Sequence, residues 1–188
     1  MDICRFDVAG PLVLRPQRFR DHRGFLSETF REEPFAAAVT PLRFVQENHV
    51  YSARAGTIRG IHFQVAPSSQ GKLVRVTRGA VWDVAVDLRN GSPTFGHHVG
   101  VELTAENWDQ FWVPIGFGHG YCTLEPDTEV IYKLTAPYDA SCERAIAWDD
   151  PDLALPWPLA ARSPVVSERD RHNPSFKDLP IYFQYGAA

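Results

Sequence analysis

Between residues 72 and 88 the side chains alternate with a period of two, and this constrains the fold more than any other feature. Trp82, Val84, Val86 and Leu88 fall on one face, with Asp83, Ala85 and Asp87 on the other. Successive side chains of a strand point to opposite sides, so residues 82–88 read as a strand. Residues 72–78 alternate in the same way, and Arg78-Gly79-Ala80 reads as the turn between the two strands. Around this hairpin, 13 glycines and 15 prolines punctuate short runs rich in Val, Ile, Phe, Tyr and Trp. That rhythm is the mark of a β-sandwich or barrel. Further strands are predicted at 12–17, 25–30, 44–51, 56–64, 98–103, 110–114, 120–124, 129–135 and 144–148. A short helix is predicted at 32–39, with Pro34 in its first turn. From Asp149 onward prolines become dense, and this stretch reads as an extended arm wrapping the core.

The expected fold is therefore all-β: two antiparallel sheets facing one another, with N- and C-terminal extensions. At 188 residues, 1–188 is expected to form one domain, with a core over about 19–150 and an arm over about 151–188. The net charge of −4 argues against binding nucleic acid through its phosphate backbone. No apolar run reaches the roughly 18–20 residues of a membrane-spanning helix. The N-terminus lacks the basic-then-apolar pattern of a secretory signal. Cys4, Cys122 and Cys142 show no CxxC spacing. A cytoplasmic protein with reduced thiols, and neither membrane nor nucleic-acid partners, is expected.

Two segments carry candidate chemistry. The first runs Gly56-Thr57-Ile58-Arg59-Gly60-Ile61-His62-Phe63-Gln64, and the second Pro114-Ile115-Gly116-Phe117-Gly118-His119-Gly120. The second resembles the Pro-x-Gly-x-x-His motif of the cupin superfamily, which implies a small jelly roll. The first resembles the other cupin motif only in part: Gln64 stands where a second His is usual, and no Glu follows. His62 and His119 alone make a poor metal site, since such sites usually need three protein ligands. Chemistry without a metal is expected. His62 suits a general base, although a single His is more often merely packed. Lys72 shares a face with Val74 and Val76. If that face is the core, Lys72 points inward and can stabilise an anion such as an enolate oxygen; on an edge strand it would be solvated. Tyr132 alternates with Val130 and Leu134, and is either an acid opposite the base or a core aromatic. Asp170 can orient and charge-stabilise His62, although the two are far apart in sequence and spacing alone does not establish the pairing.

Longer runs match one family. Residues 72–89, then Gly91-Ser92-Pro93-Thr94-Phe95-Gly96, resemble the dTDP-4-dehydrorhamnose 3,5-epimerase family. So do Arg59-Gly60-Ile61-His62, Ile131-Tyr132-Lys133, Trp148-x-Asp150-Pro151 and Ser167-Glu168-Arg169-Asp170. The matches run in the family's order from about Phe19 to Asp170. The resemblance implies a cupin-type jelly-roll homodimer that inverts C3 and C5 of dTDP-4-dehydro-6-deoxy-D-glucose without metal or redox cofactor. It implies His62 as base with Asp170 as its partner, Lys72 beside the enolate oxygen, and Tyr132 as acid. It also implies Arg23, Glu28, Gln46, Glu47, Asn48, Arg59, His119, Glu143 and Arg169 around the nucleotide sugar, with Tyr138 stacked on thymine and Phe19 nearby. Phe63, Ser69-Gln70-Gly71 and Arg169 depart from the residues usual in the family. Arg59 and His62 have opposite parity, so both can face one pocket only if the strand is kinked or bulged, with Gly60 the candidate. The alternatives are an epimerase or ketoisomerase acting at one centre, a metal-dependent cupin enzyme, and a non-catalytic sugar-nucleotide-binding module.

Overall fold

The structure, a computed structural model, describes residues 2–160 and 162–186. The end of the C-terminal arm, residues 187–188, lies outside the described residues. In chain order the strands are β1 (Asp2–Arg5), β2 (Leu12–Arg15), β3 (Arg18–Asp21), β4 (Gly24–Ser27) and β5 (Gln46–Ser52). Then follow β6 (Ile58–Gln64), β7 (Lys72–Arg78), β8 (Ala80–Asp87), β9 (Arg89–Asn90) and β10 (His98–Thr104). The last are β11 (Gln110–Val113), β12 (Phe117–Thr123), β13 (Thr128–Leu134), β14 (Glu143–Ala145) and β15 (Phe183–Gln184). One helix, α1 (Glu32–Ala38), lies between β4 and β5. Among the described residues no helix is long and apolar enough to cross a membrane.

Two antiparallel sheets form the body of a jelly roll. One has six strands in the order β1-β2-β11-β7-β13-β5, and the other five in the order β10-β8-β12-β6-β14. The first sheet already includes β1 and β2, so the body starts at the N-terminus and not near residue 19. The strand expected over 144–148 ends at Ala145; Ile146 still bonds Ile61 of β6, but the next amide, Ala147, donates to Pro174 of the arm instead. The β3–β4 hairpin stands apart as its own two-stranded sheet, and β15 pairs with β9 in parallel.

Three apolar layers hold these sheets. Val74 and Val76 of β7, Val81 and Ala85 of β8, Phe111 and Val130 fill the interior between them. Leu12, Leu14, Leu73 and Trp112 lie on the outer face of the six-stranded sheet, where Phe35 of α1 covers them. Ile61, Phe63, Val84, Val86 and Leu88 lie on the outer face of the five-stranded sheet. The arm covers this face with Leu153, Trp157, Phe176, Leu179 and Tyr182. Asp150 anchors the arm by accepting hydrogen bonds from the Leu153 and Phe176 backbone amides and the Ser175 hydroxyl. The apolar face of β8 thus looks outward onto the arm, and its Asp83 face looks inward.

Strand β6 carries the expected bulge. In its pairing with β12, His62 lies opposite His119 and Arg59 opposite Tyr121, so β6 takes one residue more than its partner. The extra residue brings Arg59 and His62 to the same cavity. Gly60 makes this possible with a φ of +125°, and a Cβ there would lie 2.5 Å from the Gly120 Cα. Gly60→Ala therefore meets backbone that has no room to yield. We expect a loss of at least about 3 kcal/mol from strain and overlap, or a thermal midpoint lower by about 6–12 °C for a chain of this size. A midpoint within about 2 °C of the parent would contradict this reading of the bulge.

Candidate active site

The two sheets each contribute groups to one cavity. From the five-stranded sheet come Arg59 and His62 of β6, with His119 and Tyr121 of β12; from the six-stranded sheet come Lys72 of β7 and Tyr132 of β13. The cavity holds about 470 Å³, within the range of small-molecule sites. A second lobe of about 290 Å³ shares His62, Lys72, Tyr132 and Arg169 and is closed by Asn48, Gln64, Tyr138 and Glu143.

Alternation explains most of these placements. Lys72 does share the inward face with Val74 and Val76, and it is only 9% exposed. Its ammonium donates to the His62 carbonyl oxygen at 3.2 Å. Burial pulls its pKa down to about 8, against the opposing charges of Asp83 and Glu143. Tyr132 lies opposite Asn48 in the β13–β5 ladder, and the Asn48 side-chain amide donates to its hydroxyl at 3.2 Å. Gln46 sits two residues before Asn48, holds it by a 3.0 Å hydrogen bond and accepts the Tyr138 backbone N–H at 2.8 Å.

The arm supplies the partner of His62. Backbone bonds from Ile58 N–H to Val165 and from Val165 N–H to Gly56 dock the arm beside β6. The next turn, Asp170–His172, places Asp170 Oδ1 at 2.6 Å from His62 Nε2. Asp170 is buried, which would raise its pKa, but the His62 contact and bonds from Ser167 and Asn173 outweigh burial and hold it below the usual range. With the carboxylate ionised, the imidazole proton belongs on Nε2 and Nδ1 is the basic nitrogen. His119 has a similar partner: its Nε2 lies 2.8 Å from Asp83 Oδ1, with both groups buried. Burial pulls the His119 pKa down, against Asp83, and keeps it neutral.

A second cluster closes the mouth. Glu143 Oε2 accepts the Tyr138 hydroxyl and an Arg169 N–H, each at 2.6 Å. Burial would raise the Glu143 pKa, yet these two partners bring it below its ordinary value. Arg169 thus makes a guanidinium contact at this position. Of the other departures, Phe63 packs its ring against Tyr182 and Phe183, and Phe63 and Gln70 both border the second lobe.

Not every expected residue reaches the cavity. Glu47 is corrected by strand parity: Gln46 and Asn48 face inward, so Glu47 faces outward and pairs with Lys133. Phe19, Arg23 and Glu28 sit on or just after the β3–β4 hairpin, outside this chain's cavity. Phe19 and Glu28 border a separate apolar groove, and Arg23 pairs with Asp21 at 2.6 Å. Conversely, sequence reasoning assigned no role to Tyr121 or Asp83. His119 was found by its motif; period-two alternation from it puts Tyr121 on the same face, and puts Asp83 on the face opposite Trp82.

A sequence profile described as dTDP-4-dehydrorhamnose 3,5-epimerase matches residues 5–178. A protein of that name from Sinorhizobium fredii is 51% identical over 178 residues, 95% of this chain and 91% of that protein. A crystal structure of a 3,5-epimerase from Legionella pneumophila, in complex with dTDP-4-keto-L-rhamnose, superposes with a TM-score of 0.94 at 38% identity, covering 99% of each chain. A 3'-monoepimerase from Streptomyces bikiniensis, in complex with dTDP-quinovose, is similar at a TM-score of 0.85 and 34% identity, over 92% of this chain and 86% of that one. A jelly roll with this cavity, matched over nearly its whole length, belongs to the dTDP-4-dehydrorhamnose 3,5-epimerase family.

Proposed function

We propose that this protein inverts C3 and then C5, or the reverse, of dTDP-4-dehydro-6-deoxy-D-glucose to give dTDP-4-dehydro-L-rhamnose. The observation that carries the mechanism is that His62 and Tyr132 approach one cavity from opposite sheets. The C4 ketone acidifies the hydrogens on both neighbouring carbons. His62 Nδ1 takes one of them, and Asp170 stabilises the imidazolium that results. The electrons move into the C3–C4 or C4–C5 bond and onto the C4 oxygen, where the Lys72 ammonium offsets the new charge. Tyr132 then gives a proton to the opposite face of the carbon, which inverts it. The same steps at the other carbon complete the reaction. No step calls on a metal or redox cofactor.

The nucleotide end is assigned to the mouth. Arg59 and Arg169 suit the diphosphate and Tyr138 the base, with His119, Gln46, Asn48 and Glu143 around the sugar and its linkage. Phe19, Arg23 and Glu28 reach the nucleotide in this reading only if a second copy lends its hairpin. The protein is therefore proposed to act as a homodimer. A cytoplasmic location fits its three free cysteines.

Proton exchange tests the chemistry. By NMR in D2O with chelator present, the parent should place deuterium at both C3 and C5. Deuterium at one carbon would make it a monoepimerase, and none would refute the proposal. His62→Ala should lose at least about 10³-fold in turnover. Tyr132→Phe should lose at least about 10²-fold in net inversion while exchange continues. Asp170→Asn should lower kcat by about 10²–10⁴-fold with KM within a few-fold. Full activity in the His62 and Tyr132 variants would defeat the assignment.

Mixing tests the shared site. His62→Ala and Arg23→Ala proteins, each inactive alone, should regain about a quarter of parental activity after subunit exchange, since half the dimers then hold one intact site. No recovery from a demonstrably mixed dimer would show that Arg23 does not act across the interface.

A further inference from the structure

Two fully buried aspartates lie on the inward face of β8, and their surroundings differ. Asp87 is saturated: Arg89 donates to both its oxygens, and the Ser92 and Thr94 hydroxyls add two more bonds. Asp83 Oδ1 faces His119, while Oδ2, equally buried, has no hydrogen-bond partner among the described residues. A carboxylate so placed is costly unless a charge compensates it.

The cations around the cavity leave one candidate. Arg169 is paired with Glu143, and Arg59 bonds Ser52 and the Tyr51 carbonyl at the exposed rim. Lys72 is buried and makes one hydrogen bond among the described residues, to a carbonyl, although an ammonium has three donors. Each buried charge lacks what the other has.

We propose that Asp83 is the counterion of Lys72, a positioning residue that touches no substrate and keeps the ammonium charged to receive the enolate. Lys72 shares the main cavity with His62 of β6, His119 of β12, Tyr132 of β13 and Asp170 of the arm, and the second lobe with Glu143 of β14. Asp83 of β8 joins this cluster through its bond to His119 and acts on Lys72 across the interior without direct ion-pair contact. His119 is neutral, Asp170 is committed to His62, and Glu143 is shared between Tyr138 and Arg169 at the mouth. That leaves Asp83 as the buried anion not neutralised by another cation. Burial brings Lys72 down to about 8, and the Asp83 charge, then that of Glu143, opposes this fall. Removing the Asp83 charge therefore moves the Lys72 titration further down, toward loss of the ammonium near neutral pH.

This inference takes the role of Lys72 from the proposed function, so its first test needs no substrate. The chain has only three lysines, Lys72, Lys133 and Lys177, which makes Lys72 readable by NMR of lysine labelled at Cε. Asp83→Asn keeps an oxygen for His119 and removes the charge. The Lys72 titration should fall by about one pH unit or more. In turnover, the alkaline limb of the pH profile should shift down equally. At pH 7.5 kcat should fall at least about threefold, with KM within about twofold. In a Lys72→Met background, Asp83→Asn should cost nothing further. If Asp83→Asn does not fold, Lys72→Met gives the reciprocal test: the Asp83 carboxyl, followed by carbon NMR, should titrate at higher pH than in the parent. A Lys72 titration unmoved by Asp83→Asn, or an Asp83 carboxyl unmoved by Lys72→Met, would overturn the proposal. If the titration moves but the protein shows no epimerase activity, the counterion stands and the functional reading falls.

Discussion

The five-stranded sheet is buried on both faces, and the rest of the site follows from that constraint. Its inner face lines the cavity. Its outer face presents Ile61, Phe63, Val84, Val86 and Leu88, which cannot be left in water. The proline-rich arm is the segment that covers them. Each fully buried side chain of this kind stabilises by about 1.5–3 kcal/mol, and a hydrogen bond to a charged group by a similar amount. The apolar cluster therefore outweighs the single His62–Asp170 contact several-fold. Packing docks the arm, and docking delivers Asp170 to the base and Arg169 to the mouth.

The division of labour between sheets has a chemical consequence. A base and an acid on one strand would reach the same face of a sugar ring. Here the base stands on β6 and the acid on β13, across the interior. Lys72 stands at the start of β7, beyond Val74 and Val76, which fill the apolar end. The cavity is thus polar where charge develops and dry beneath. The Gly60 bulge adds Arg59 to the same side as His62, which a regular strand would have pointed the other way.

Much of this was legible in the sequence, for identifiable reasons. Period-two alternation grouped Lys72 with Val74 and Val76, and Tyr132 with Val130 and Leu134, without saying that those faces were the interior. The parity conflict between Arg59 and His62 asked for a kink or a bulge where a bulge exists. The family, and with it the jelly-roll fold, showed in long runs such as residues 72–89. Alternation did not say which face of β8 was the interior, because both are buried and the more apolar one meets the arm. Spacing did not establish the pairing of Asp170 with His62, which lie 108 residues apart; the family resemblance supported it. Glu47 was grouped with its neighbours although alternation separates it from them. Phe19, Arg23 and Glu28 were matched by resemblance, and a single chain gives them no cavity to line.

The central claim is geometric: base and acid flank one sugar ring from opposite faces, with the C4 oxygen at Lys72. A crystal structure of the Tyr132→Phe variant with dTDP-4-dehydro-6-deoxy-D-glucose bound measures it directly. The account predicts His62 Nδ1 over one face of the ring, the side chain at position 132 over the other, and the C4 oxygen about 3 Å from Lys72 Nζ. A sugar with both side chains on one face, or with its C4 oxygen turned away from Lys72, would contradict it.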